Sequence, residues 1–186
     1  YLPEYVFKGL HPHKLITSTI AIDPLSPKNM PISKARAKKT IEKFGIDSRR
    51  PLITQISRID SWKDFPGVAD AWLMARKKVP KLQLALIGVV SANNVHAKGI
   101  VDEVLQKIKD QEGGHLLVNQ VEREDIKAFQ VASTVIIQKS LREGFGLTVS
   151  EGLWSGTPVI GGNVGGIRAQ IVNGKSGYLV DSIQEC

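Results

Sequence analysis

Two glutamates on either side of a glycine turn carry the clearest chemistry in this sequence. In SLREGFGLTVSEGLWSGTPVI, residues 140–160, seven residues lie between Glu143 and Glu151, and Gly144, Phe145 and Gly146 directly follow the first. Gly144 and Gly146 permit a tight backbone bend. The pattern from Leu147 onward reads as a helix, so the N–H groups of Gly146, Leu147 and Thr148 have no partner within it. They form a ready anion site that needs no metal to hold a phosphate. Glu151 then lies one turn in, near enough to hydrogen-bond a ribose diol beside that phosphate, and Glu143 faces the group on the phosphate's far side. A bare glutamate pair at this spacing is ordinarily solvated. Here a carboxylate, a glycine turn and a helix start follow an apolar run directly, and that succession specifies a phosphorylated ligand.

A second segment, QISRIDSWKDF at residues 55–65, places Arg58 and Lys63 five residues apart where a strand gives way to a loop. Arginine offers a planar fork for two phosphate oxygens and lysine a mobile point charge, so the pair can neutralise a diphosphate leaving group as its charge grows. Two such cations alone are commonly surface decoration. The glutamate-glycine segment on the same sheet edge is what raises them. Asp60 and Trp62 read as loop structure. A third segment, GGNVGGIRAQIVNGKSGYLV from Gly161, sets glycines around Asn163 and Val164. Close approach to a ligand and plain helix-sheet packing both account for these glycines. The segment does not read as a phosphate-binding P-loop, and the first strand lacks a dinucleotide fingerprint. His11, His13 and His96 fall in predicted loops and His115 opens a strand, with no clustering, so no protein-bound metal is expected. Ser140, Ser150 and Ser155 lie outside any nucleophile elbow.

The elements that must position these groups follow from the apolar pattern. PLITQIS, LQLALIG, HLLVN, TVIIQ, TPVIG and GYLV read as strands, with helices between them at about 64–79, 98–111, 122–132, 147–155 and 166–172. Strands this apolar, each followed by a helix, imply an α/β class: a Rossmann-like parallel sheet with helices on both faces and a ligand at the carboxyl ends of the strands. Before Pro51 an extended piece, KLITSTIAIDPLSPKN, leads through Ser33 as a helix cap into a helix that ends near Phe44 and stops at Gly45. The expected organisation is a connector and leading helix over 1–47 and a Rossmann-like domain over 48–186. Only six residues follow GYLV, which suggests an excised domain.

Bulk properties exclude several classes. The chain of 186 residues is 42% hydrophobic and 23% charged, an ordinary globular composition. No apolar run approaches the roughly 20 residues of a membrane helix, and the opening lacks a signal-peptide pattern, so a cytoplasmic location is the default. The single cysteine, Cys186, excludes an internal disulfide and a cysteine metal cluster. A net charge of +7 and pI near 9.5 raise the question of nucleic acid. The charges instead fall along helical patterns, Lys34 to Lys43 in one and Arg76 to Lys81 in another, with no interleaved aromatics to stack bases. They read as solvated faces, and no nucleic-acid or membrane partner is expected.

SRIDSWK, then SLREGFGLTVSEGLWSGTPVI, then GGI and NGKSGYLV together resemble the carboxyl-terminal domain of family-four retaining glycosyltransferases of the two-domain GT-B fold, over about residues 51–180. The resemblance implies that Arg58 and Lys63 grip a donor diphosphate, that Glu151 holds the ribose and that Glu143 contacts the donor sugar. It places the base at the loop after HLLVN, near Val118 and Asn119, and the backbone of Gly144, Phe145, Gly146, Leu147 and Thr148 along the donor. AIDPLSPKN, ITQISRIDSWKDF, LREGFGLTVSEGLW and GGIRAQIVNG look closer to the archaeal-type trehalose synthases. That likeness implies a UDP- or ADP-glucose donor, a glucose acceptor, no tightly bound cofactor, and an acceptor site in an amino-terminal domain that the chain lacks. A homodimer is allowed. The sequence departs from the family pattern at Asp64, which replaces a usual glycine, and at Arg168-Ala169, which replace a usual Pro-Glu pair. Rival readings are a trehalose phosphorylase or other hexosyltransferase of the same fold, and a non-catalytic nucleotide-binding module.

Overall fold

Apolar runs at six places in the chain pair into one sheet in the computed structural model, which describes residues 20–90 and 96–186. His11, His13 and the start of the predicted extended piece lie outside the described residues. The strands are β1 (Leu52–Arg58), β2 (Gln83–Val89), β3 (Gly114–Val118), β4 (Val135–Gln138), β5 (Val159–Gly162) and β6 (Gly177–Val180). All neighbours are parallel, in the order β3-β2-β1-β4-β5-β6. The helices are α1 (Lys34–Glu42), α2 (Phe65–Ala75), α3 (Ala97–Ile108), α4 (Ile126–Ala132) and α5 (Leu147–Trp154).

Alternation along the strands divides the core between the two faces of the sheet. On one face Leu84 and Leu86 pack with Phe65, Val68 and Trp72 of α2 and Val104 and Ile108 of α3. On the other, Leu52, Ala85 and Ile87 pack with Ile41 of α1, Ile46 and Phe129 of α4. A third cluster joins Ile136, Val149, Val159, Ile167 and Ile171 beneath α5. Each large apolar side chain so buried contributes about 1.5–3 kcal/mol. The indole N–H of Trp72, inside the first cluster, donates to the Leu82 carbonyl at 3.0 Å, so that donor is not stranded in the core. Ala37 and Ile41 of α1 are buried too, so the leading helix shares the core of the sheet. Ser33 caps that helix by accepting from Arg36 N at 3.2 Å.

Strand order reverses at β1. The chain runs outward through β2 and β3, then returns to place β4 on the opposite side of β1. At such a switch point the loops leaving the two central strands turn opposite ways and open a crevice at the carboxyl edge. Arg58 ends β1, and the glutamate-glycine segment follows β4.

Four predicted helices differ from those formed, the one expected over 98–111 running instead from Ala97 to Ile108. The helix expected over 64–79 ends at Ala75; residues 76–79 continue as turns, and Pro80 with Lys81 at φ 63° breaks the helix off. The one expected over 122–132 begins at Ile126, after a turn in which Asp125 N donates to Glu122 O at 3.0 Å. The one expected over 166–172 is a 3₁₀ turn, Gly165–Ala169. Its glycines are pressed against the backbone of the site loop: a Cβ on Gly165 would sit 1.6 Å from Glu143 O, and one on Gly166 would sit 2.6 Å from Phe145 Cα. Helix geometry is unavailable there because the segment follows its neighbour's contour.

Candidate functional site

After Arg58 the chain makes a short capped turn. Asp60 accepts from Trp62 N at 3.0 Å and so starts the 3₁₀ turn Ser61–Lys63. Asp64 then adopts the left-handed region, φ 49° and ψ 47°, while its carboxylate caps α2 by accepting from Gly67 N at 3.2 Å and pairs with the buried Lys139 ammonium. Aspartate tolerates that conformation better than most residues, which explains how it stands where glycine would also fit.

Lys63 is steered from behind. Gln55 Nε2 donates to its carbonyl at 2.8 Å, and its ammonium forms an ion pair with Glu143, the two side chains being only 14% and 13% exposed. Ser140 Oγ donates to the same carboxylate at 3.2 Å, and Leu141 N donates to the Trp62 carbonyl at 2.8 Å, locking the β1 and β4 loops together. An open cleft of about 270 Å³ results, lined by Arg58, Asp60, Trp62, Lys63, Arg142, Glu143 and Gly144. The Arg58 side chain is 77% exposed and lies 3.6 Å from Asp60, a weak surface pair that leaves the guanidinium at hand for an anion. Arg142 sits over the Trp62 ring, 5.5 Å from its centroid. Asp60 and Trp62 are therefore cleft walls as well as loop structure. Arg142 escaped the reading of the sequence, although it directly precedes Glu143.

Gly146 takes φ 87° at the start of α5, where no side chain caps the helix. Thr148 Oγ1 donates to Ile56 O at 3.1 Å and anchors the first turn to β1. Behind the turn, Gln170 Nε2 donates to Phe145 O at 2.5 Å while its carbonyl accepts from Ser150 Oγ at 2.5 Å. Gly166 N also donates to Gly144 O at 2.9 Å. The glycine-rich third segment is thus a brace for this turn. Its Gly174-Lys175-Ser176 tripeptide is no P-loop, because Ala169 stands where that motif needs a glycine and the tripeptide lies in the turn entering β6.

Glu151, 7% exposed, faces a second pocket of about 300 Å³ whose lining includes Ile22, Ser26, Lys28, Arg123 and Leu147. One carboxylate oxygen pairs with the Lys28 ammonium, and the other accepts from Gln130 Nε2 at 3.2 Å. Lys127 is buried close by, donating to Ser155 Oγ at 2.8 Å; burial pushes its pKa down, with Glu151 pulling the other way. Lys28 had no signal near the site motifs, since 123 positions separate it from Glu151. Val118 ends β3, Asn119 follows it, and neither lines either pocket. Asn119 adopts φ 53° and its side chain accepts from Val90 N at 3.0 Å.

The structure therefore brings Arg58, Lys63, Glu143 and Gly144 around one cleft and Leu147 and Glu151 around another, with the free end of α5 between their carboxylates. Such an arrangement can hold an anion of two phosphates with polar groups at either end. Among the described residues no three His, Cys, Asp or Glu side chains form a metal-binding group, and no helix is long and apolar enough to cross a membrane.

Known proteins are similar to this chain in sequence and in fold. The trehalose synthase of Thermococcus litoralis is 41% identical over 187 residues, covering 100% of this chain and 45% of its own length. The trehalose phosphorylase of Grifola frondosa is 36% identical over 144 residues, 71% of this chain and 20% of the relative. Among solved structures, Anabaena Alr3699/HepE in complex with UDP-glucose superposes with a TM-score of 0.70 at 22% identity, covering 83% of this chain and 41% of that one. The chain thus spans less than half the length of the curated relatives it matches. Its parallel sheet is of the GT-B glycosyltransferase kind. The family described as Glycosyl transferases group 1 matches residues 37–185, four-fifths of the chain, and the chain belongs to that family.

Proposed function

We propose that this chain is the donor half of a retaining glycosyltransferase, binding a nucleoside-diphosphate glucose, UDP- or ADP-glucose, for transfer to an acceptor sugar. With glucose as acceptor the product is trehalose, as the name of the Thermococcus relative suggests. The acceptor would be held by a further domain, and the protein works in the cytoplasm. The observation that carries this reading is the placement of the Lys63–Glu143 pair, the open start of α5 and Glu151 in succession along the β1/β4 switch point.

Loss of the diphosphate is the demanding step, because negative charge grows on the leaving oxygen. Arg58, Lys63 and the amides at Gly146 to Thr148 meet that charge, each preorganised donor contributing on the order of 3 kcal/mol. Glu143, beside the cleft, orients the hexose and favours positive charge at the anomeric carbon. Glu151 holds the ribose, and Val118 and Asn119 lie toward the base. On a same-face path the leaving phosphate takes the acceptor's proton, which keeps the anomeric configuration.

Calorimetric titration with UDP, ADP, GDP and UDP-glucose tests this. Saturable binding, weakened by Arg58→Ala and by Glu151→Ala, is expected; a folded chain that binds none of them overturns the reading. The likeness to a phosphorylase favours a second reading, in which inorganic phosphate takes the place of the nucleotide. Phosphate that binds in competition with glucose 1-phosphate, with no nucleotide affinity, would select it.

A further inference from the structure

We propose that Lys28, in the segment ahead of α1, is a positioning residue for Glu151, and that through it the second pocket tells a ribonucleotide from its 2′-deoxy counterpart. This rests on the nucleotide-sugar reading above. Lys28 is carried on a locked turn, Pro27–Asn29. Asn29 N donates to Ser26 O at 2.8 Å, the buried Asn29 side chain donates to Asp23 O at 2.7 Å, and Trp154 Nε1 donates to Asn29 O at 3.0 Å. Trp154 and Glu151 stand three residues apart on α5, a spacing that puts both on one face of a helix. One helix therefore presents the carboxylate and also fixes the turn that carries its cation.

The carboxylate is defined from two sides. Lys28 holds one oxygen and Gln130, itself buried, holds the other. Two oxygens offer about four acceptor positions, so one on each is left for a ligand, a match for the paired hydroxyls of a ribose. A 2′-deoxyribose fills only one of them and strands the other, which is the arrangement that discriminates most strongly. Lys28 matters to this in two ways. Gln130 alone would leave the group free to rotate about its terminal torsion, and a carboxylate deprived of its directly paired cation would repel the diphosphate next to it more strongly. Lys127 does not replace Lys28, because its ammonium is directed at Ser155.

The test uses whichever of UDP and ADP binds the chain more tightly, together with its 2′-deoxy form, titrated against wild type, Lys28→Met and Lys28→Arg, with circular dichroism to verify folding. Expected is a ribo-over-deoxy preference of about tenfold or more in wild type. It should fall toward unity in Lys28→Met, with weaker overall binding, and be retained in Lys28→Arg, which keeps the cation. Undiminished preference in Lys28→Met, or tighter binding that marks Lys28 as a competitor for the pocket, overturns the proposal while leaving the donor reading intact. Absence of any nucleotide binding by folded wild type removes the donor reading and this proposal with it.

Discussion

Lys63 and Glu143 neutralise each other where little water reaches, so changing either removes the other's countercharge. Lys63→Met should raise the dissociation constant for UDP-glucose about tenfold to a hundredfold and lower stability by about 1–3 kcal/mol, read from calorimetry and urea unfolding. Glu143→Gln is expected to behave differently. The amide keeps the shape and still accepts from Ser140, so UDP affinity should change by less than about threefold, while the additional affinity that the glucose moiety gives UDP-glucose over UDP should be lost. At this scale the sequence showed the residue types well, because Glu143, Glu151, Arg58 and Lys63 sit in short segments with their glycines and helix start. It could not show partners distant along the chain. Lys28 meets Glu151, and Lys139 meets Asp64, only because the sheet and α5 bring them together.

Elements take their exact limits from tertiary packing, which is why the helix ends proved the least legible part of the sequence. Gly165 is the sharpest case. Read locally, it stands just ahead of a helical run at 166–172; in place, with φ 47°, it lies against the Glu143 carbonyl and allows no side chain. Gly165→Ala should cost about 3 kcal/mol and blunt ligand binding, since the turn it braces would have to move. Asp64 supplies a finer comparison. Asp64→Gly loses a cap and the partner of Lys139 but keeps an easy left-handed backbone, whereas Asp64→Ala loses the same contacts and adds strain. The alanine variant should be the less stable by about 1 kcal/mol in urea unfolding. The strands themselves were legible because their apolar runs are continuous. Their order was not, since adjacency in a parallel sheet leaves no mark on a strand's own composition.

At the scale of the whole molecule, net charge of +7 invites polyanions, yet its cations are spread along the whole chain, with α1 and the turn beyond α2 holding only part of them. Duplex DNA should show no saturable binding at about 0.15 M salt, where screening acts over roughly 8 Å. Stability should also depend on pH through His115 on β3. Burial pushes its pKa below the ordinary value of 6.5, and Arg50 adds to the effect. The unfolded chain then binds the proton more readily than the folded one, so this contribution is complete above about pH 6.5 and is lost as pH falls. Urea midpoints at pH 7.5 and 5.5 should differ by less in His115→Gln. Strand order has one more consequence, for folding. Because β1 must wait for β4 before the crevice exists, residues 58–63 and 140–151 meet only after some 80 intervening residues have found their places. Loop closure over such separations makes the pocket a late arrival on the folding route. A bound nucleotide would therefore act on the completed state alone, slowing the unfolding arm of a chevron plot and leaving the folding arm unmoved.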